Sequence, residues 1–174
     1  MSNWFPKPEE YAPYYAGYIG YVEGQNSLHI LRQQLEGFTA KLAKLTEEQW
    51  SYRYEEGKWS VKEVLGHLTD TERVFAYRAL RFSRGDTSPL PGFDQNQYAA
   101  NAQYDRLSPD LIIRDWQYTR MSTVSLRYGL SDEVAGITGE ASGNPVSVRA
   151  LFAMIAGHTI HHIKVMREQY NLDL

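Results

Sequence analysis

The sequence contains no cysteine. Disulfide bonds, thiolate-bound zinc and a catalytic thiol of the protein's own are therefore excluded. No run approaches the roughly 20 consecutive apolar residues of a membrane-spanning helix. The net charge is −3, without the basic excess that is typical of nucleic-acid-binding domains. We therefore expect neither a membrane nor a nucleic acid as a partner.

The length and composition are those of an ordinary globular protein. The 174 residues suit one domain over positions 1–174, which is long enough to bury a hydrophobic core. Hydrophobic residues make up 43% and charged residues 22%, both close to the average for soluble domains. The first 20 residues lack the basic segment and apolar stretch of a secretion signal. We expect a single cytoplasmic domain.

Four segments carry apolar residues three or four positions apart, which is the spacing of one face of a helix. Ser60 and Glu63 form a capping-box pattern at the start of the second segment. No segment alternates convincingly with a period of two. The sequence therefore predicts an all-α, antiparallel four-helix bundle. The predicted helices, each 20 residues or longer, span residues 26–45, 60–84, 108–130 and 147–170.

Two segments lie outside the predicted helices. The first 25 residues are rich in aromatic residues and interrupted by proline and glycine, so we expect an irregular strap over the bundle. Residues 85–107 form the longest connection, and a loop of this length is often a lid or a binding loop. Its motif GFDQNQY offers Asp94, Gln97 and Tyr98 as candidate substrate-binding residues.

Three of the five histidines fall within the stretch AGHTIHHIKV of the predicted fourth helix. The apolar stripe of that helix includes His162, and His158 lies at its edge one turn earlier. This i, i+4 spacing brings two imidazoles close enough to bind one ion. His67, on the predicted second helix, also lies among apolar residues and is expected to face inward.

Three inward histidines suggest a shared partner, because a buried polar group without one costs free energy. We predict that His67, His158 and His162 bind one divalent ion, with zinc or nickel as the best candidates. The alternative is that these histidines form an ordinary polar or pH-sensitive patch and bind no ion. His161 and His29 are not predicted to be ligands.

Charged residues along the second helix are open to more than one interpretation. Asp70, one turn beyond the predicted ligand, could orient that ligand or a bound water, or could be an exposed acid. Arg78 and Arg81 approach the long loop and could bind an anionic substrate, or could be solvated. Glu72 and Arg73 are interpreted as a surface pair.

A family resemblance is carried by three motifs taken together, KWSVKEVLGHLTDTERVFAYRALRFSRGD, PLPGFDQNQY and SVRALFAMIAGHTIHHIKV. The chain resembles the DinB-like superfamily, including its YfiT type, over nearly its whole length. The resemblance implies a four-helix bundle that holds a divalent metal through His67, His158 and His162. It also implies a homodimer, and a low-molecular-weight thiol such as bacillithiol or mycothiol as a cosubstrate. Thiol isomerases of the family have a glutamate as one ligand, so their specific chemistry is not implied.

Two functional hypotheses follow. The first is a metal-dependent transferase or hydrolase that acts on a small molecule, because three histidines leave an open coordination position for water or an external thiol. The second is a non-catalytic, stress-related metal-binding protein whose ion ties the second helix to the fourth.

Overall fold

Four long helices and a small hairpin make up most of the structure, a computed structural model that describes residues 4–174. The helices and strands in chain order are α1 (Ala16–Gly20), α2 (Ser27–Leu42), α3 (Glu47–Ser51), α4 (Val61–Ser83), α5 (Gln95–Ala102), α6 (Pro109–Tyr128), β1 (Thr138–Ala141), β2 (Asn144–Ser147) and α7 (Val148–Glu168). Short 3-10 turns occur at Pro8–Glu10, Pro13–Tyr15, Tyr104–Arg106 and Asp132–Val134.

The predicted four-helix bundle is confirmed. Helix α4 packs against α6 and α7, and α2 packs against the same two helices, so α2 and α4 lie diagonally opposite. The capping box of Ser60 and Glu63 begins α4 as expected. None of the described helices has the length and apolar character needed to cross a membrane.

Helix α2 is shorter than predicted. It contains 16 residues and ends at Leu42, whereas the periodic pattern continues to Leu45. The reason lies in the next residues, because Thr46 and Gln49 form a second capping box that begins α3. The prediction that all four helices reach 20 residues was therefore wrong for α2.

The hairpin of β1 and β2 was not predicted. Its strands are antiparallel, with Thr138 opposite Ser147 and Ala141 opposite Asn144. The turn uses positive φ angles at Ser142 and Gly143. The long connection between α4 and α6 is fastened to this hairpin, since Leu90 donates to the carbonyl of Glu140 and accepts from the N–H of Ser142.

The N-terminal strap combines two 3-10 turns with α1, which packs on α7. Glu10 on the strap forms a buried ion pair with Arg149 on α7 and accepts a hydrogen bond from Ser147 at 2.8 Å. Burial raises the pKa of Glu10, but these hydrogen bonds and the charge of Arg149 lower it below its ordinary value overall. The strap is therefore fixed to the start of α7 by a charged contact.

A polar layer crosses the bundle at mid-height and separates two apolar clusters. At its centre, Arg120 on α6 donates to Glu72 on α4 at 2.8 Å and to Thr159 on α7 at 2.9 Å. It also donates to the side chain of Gln34 on α2, whose amide in turn donates to the carbonyl of Ala156. Arg120 thereby connects all four long helices.

The expected surface pair of Glu72 and Arg73 was therefore wrong. Glu72 is 3% exposed and binds Arg120, whereas Arg73 faces outward and pairs with Asp115 on α6. The two adjacent residues lie on different faces of α4, as consecutive helical positions must.

We predict that Glu72→Gln destabilises the protein by about 3–5 kcal/mol, because it leaves the buried guanidinium of Arg120 without its counter-charge. The matched control is Asp115→Asn, which removes the carboxylate of an exposed pair and should cost no more than about 1 kcal/mol. Urea denaturation monitored by circular dichroism measures both. Equal effects of the two substitutions would contradict the assigned role of the buried pair.

Candidate metal centre

Three histidine side chains converge in the polar layer, one from α4 and two from α7. The Nε2 atom of His158 lies 3.1 Å from the Nε2 atom of His67 and 3.1 Å from that of His162. The candidate ligand atoms of the three rings all lie within 4.8 Å of one another. The structure thus brings together the three residues that the spacing selected.

The three rings cannot satisfy one another by hydrogen bonding. In a neutral imidazole each ring nitrogen is either a donor or an acceptor. A proton on the Nε2 of His158 can be directed to one neighbour only, and a lone pair there can accept from one neighbour only, so at least one of the two contacts lacks a hydrogen bond. A divalent cation accepts all three lone pairs together, and imidazole is a common ligand for such ions. The residues therefore fit a divalent ion.

The surroundings keep the rings uncharged at neutral pH. Burial lowers the pKa of His67 to about 4. Burial, with smaller contributions from neighbouring histidines, lowers the pKa of His162 to about 3 and that of His158 well below its ordinary value. Metal binding requires the deprotonated imidazole, so all three rings are in the binding form.

The ring of His67 is oriented by residues other than Asp70. Its Nδ1 atom lies 3.4 Å from the hydroxyl of Thr71, a long contact, and its ring packs 4.7 Å from that of Trp59. The carboxylate of Asp70 instead accepts a hydrogen bond from Tyr104 at 2.7 Å and lies 3.6 Å from Arg73. In this geometry Asp70 makes no hydrogen bond to His67.

The Nδ1 atom of His162, on α7, has a different environment from the Nδ1 atom of His67. It is buried and has no hydrogen-bond partner in the part of the chain that the structure describes. The ring of Tyr18, on α1, packs edge-on against both His158 and His161 at centroid distances of 5.2 and 5.1 Å. Packing against the strap therefore positions the rings of His158 and His161.

Two cavities flank the histidine cluster. The larger, of about 430 Å³, reaches His162; its lining includes His161, Tyr54, Lys58, Trp59, Asn96 and Tyr170. The smaller, of about 160 Å³, reaches His158; its lining includes Tyr14, Tyr15, Phe75, Phe93, Gln95 and Ser142. The cluster is therefore accessible from two sides.

The long connection contributes to both cavities, but through residues that the sequence did not single out. Asp94 caps α5 by accepting from the N–H groups of Asn96 and Gln97, so the helix begins at Gln95. Gln95 and Asn96 line the cavities. Gln97 is exposed, and Tyr98 is 44% exposed beside Phe93. The sequence signal that could have identified them is the N-cap at Asp94, because the first residue of α5 determines which side chains face the cavities.

The two candidate arginines have different environments. Arg78 is buried and donates to the carbonyl of Pro91 at 2.8 Å and to Ser142 at 3.1 Å. Arg81 lies near the end of α4, where it pairs with Asp86 and donates to Tyr77 at 2.6 Å. Neither is a freely solvated side chain.

The remaining histidines stand apart from the cluster. His161 lines the larger cavity beside His162, and its pKa is lowered by burial and by the charge of Lys164. His29 is exposed on α2. Within the described residues, the group that could hold a metal ion consists of His67, His158 and His162.

Comparison with known proteins agrees with this fold. A model described as "DinB superfamily" matches residues 29–166. A "Putative metal-dependent hydrolase" from Oceanobacillus iheyensis is 29% identical over 147 residues, which cover 78% of this chain and 81% of that protein. A protein with the same description from Geobacillus thermodenitrificans is 24% identical over 134 residues, covering 76% and 75%.

One solved structure is similar over almost the whole chain. It is YfiT from Bacillus subtilis, described as "a probable metal-dependent hydrolase with an unusual four-helix bundle topology". The TM-score is 0.73, and the match covers 97% of each chain at 17% sequence identity. At this identity the similarity shows the fold.

The strap crosses α7 at Gly157, next to His158, and this crossing leads to a testable prediction. A Cβ atom at Gly157 would overlap the backbone carbonyl of Tyr18, so Gly157→Ala should destabilise the protein by about 1–3 kcal/mol. Gly37→Ala is the control, since a Cβ there meets nothing within 4 Å and should be neutral or stabilising. Thermal denaturation compares the two, and equal stabilities would rule out the tight crossing.

Proposed function

This chain belongs to the DinB superfamily, and we propose that it is a hydrolase that uses a divalent metal ion held by His67, His158 and His162. The observation that carries the proposal is the convergence of three neutral Nε2 atoms that cannot satisfy one another. The descriptions of the related proteins as metal-dependent hydrolases point to the same chemistry.

A divalent ion with three imidazole ligands keeps an open coordination position and can supply an activated water at neutral pH. The chain's own residues hold the ligands neutral, fix their positions in the polar layer and provide two cavities at which a small substrate can approach. Zinc and nickel are the proposed ions, because both accept a set of imidazole ligands.

The larger cavity is the proposed position of the part of the substrate on the His162 side of the reacting bond. It contacts His162 directly, and it has the volume of a site for a small molecule. The amide of Asn96 and the imidazole of His161 line the same space and can donate hydrogen bonds to a polar substrate. Aromatic side chains supply the apolar part of the wall.

A purely structural ion is less well supported by the geometry. Such an ion requires a fourth side-chain ligand. Asp70, the nearest candidate from the sequence, is engaged by Tyr104 and Arg73. Transfer to a low-molecular-weight thiol and assembly as a homodimer stay predictions from the family resemblance.

The metal itself provides the first test. Protein purified without a metal-affinity tag should contain about one equivalent of divalent ion by mass spectrometry, the stoichiometry of one three-histidine site. His158→Ala and His162→Ala each remove a ligand and should lose the ion. His161→Ala and His29→Ala are matched controls that should retain it. Native protein that stays metal-free after divalent ions are added would refute the proposal.

Catalysis provides the second test. A panel of small esters, amides and lactones should reveal turnover that a chelator abolishes and that zinc or nickel restores. His162→Ala should lower kcat by at least about a hundredfold, because the activated water is lost. His29→Ala serves as the control. Turnover that is unchanged in His162→Ala would count against a metal-dependent hydrolase, and turnover only with added thiol would identify a transferase instead.

A further inference from the structure

Arg78 is a buried cation without a carboxylate partner. Its side chain is among the buried charged groups, at 3% exposure, and within residues 4–174 its guanidinium lies near the uncharged phenol of Tyr15 and forms no ion pair. Other buried arginines have a carboxylate nearby, namely Arg120 with Glu72, Arg149 with Glu10 and Arg127 with Asp132. The positive charge of Arg78 is therefore not neutralised by the described chain.

The hydrogen bonds of Arg78 use only part of its capacity. Nη2 donates to the carbonyl of Pro91 and to the hydroxyl of Ser142, both uncharged acceptors. Nε and Nη1, which carry three more N–H groups, make no hydrogen bond to residues 4–174. The guanidinium carbon lies 5.6 Å from the ring centroid of Phe75 and 6.0 Å from that of Phe93. Neither Nε nor Nη1 is among the fully enclosed polar atoms that lack a partner in the described chain, so both are open to water or to a bound anion.

The position of Arg78 relates it to the histidine cluster. Phe75, Phe93 and Ser142, which contact its guanidinium, all line the smaller cavity. His158 lines the same cavity. His158 therefore lies on the wall of the smaller cavity. The three residues that contact the guanidinium of Arg78 form part of the same wall.

We propose that the smaller cavity is an anion subsite, in which Arg78 binds a carboxylate or phosphate group of the substrate. The inference rests on the proposed hydrolase function for the substrate's identity, but the anion site itself does not depend on turnover. The volume of about 160 Å³ equals that of about five water molecules, which is enough for a charged head group with a short carbon chain. The substrate class is thus a small anionic molecule whose reacting bond lies at the histidines.

Binding of small probes to the purified full-length protein tests the subsite. Propionate and methyl phosphate carry the anionic group, and propionamide is the neutral counterpart of propionate. Kd is measured by NMR titration, with the Arg78 Nε–H resonance, assigned through Arg78→Lys, as the local reporter. An anion should bind at least about tenfold more tightly than propionamide, because charge-assisted hydrogen bonds are the stronger kind. The tighter of the two anions identifies the head group.

Two variants separate Arg78 from other ways of binding an anion. Arg78→Met should weaken anion binding at least about tenfold and leave propionamide binding unchanged, whereas an anion held by the metal alone would not respond. Arg81→Met, one turn further along α4, is the control and should change neither. If Arg78→Met does not fold, the native protein provides the test, because an anion bound by Arg78 must shift the Arg78 Nε–H resonance.

Three results would overturn the proposal. These are equal binding of propionate, methyl phosphate and propionamide; no shift of the Arg78 resonance with either anion; and anion binding that is unchanged in a folded Arg78→Met variant. If hydrolysis is found while Arg78 has no effect on anion binding, the subsite alone is wrong. If anions bind through Arg78 and no turnover is found, the hydrolase proposal alone is wrong.

Discussion

The buried ion pair between Glu72 and Arg120 is the contact on which the arrangement of the four long helices depends. Arg120 reaches α4 through Glu72, α7 through Thr159 and α2 through Gln34. Apolar packing is non-directional and permits several rotations of a helix about its axis. A buried ion pair permits only one rotation, because any other rotation separates the two charges and leaves an ion unpaired in the core. The network therefore selects one rotation for each helix.

The histidine cluster depends on that selection because it occupies the same polar layer. Thr159, a partner of Arg120, is adjacent to His158 on α7, and Glu72 lies five residues beyond His67 on α4. A rotation of α4 that separates Glu72 from Arg120 also turns His67 away from the two histidines of α7. The two halves of the polar layer differ in one respect. The half at Arg120 is satisfied by the chain itself, whereas the half at the histidines is completed by the proposed ion.

Much of this molecule follows from local sequence patterns, and the parts that do not follow have identifiable reasons. Helical periodicity was sufficient to locate the bundle, and the i, i+4 spacing was sufficient to place His158 beside His162. The hairpin was missed because each strand has four residues, too few for alternation to be recognised. The burial of Glu72 was missed because charged side chains are ordinarily exposed and its partner lies 48 residues away. Gln95 and Asn96 were missed because their orientation depends on where α5 begins.

The fastening of the long connection has a consequence for how molecules enter the protein. Its beginning is hydrogen-bonded to the hairpin through Leu90 and to Arg78 through Pro91, and its end is held where Tyr104 bonds to Asp70. A segment anchored at both ends cannot swing open as a rigid flap. Widening of either cavity on this side must come from local unwinding of α5, whose first turn is held by Asp94. The cap at Asp94 then sets how readily this wall of the two cavities opens further for a larger molecule.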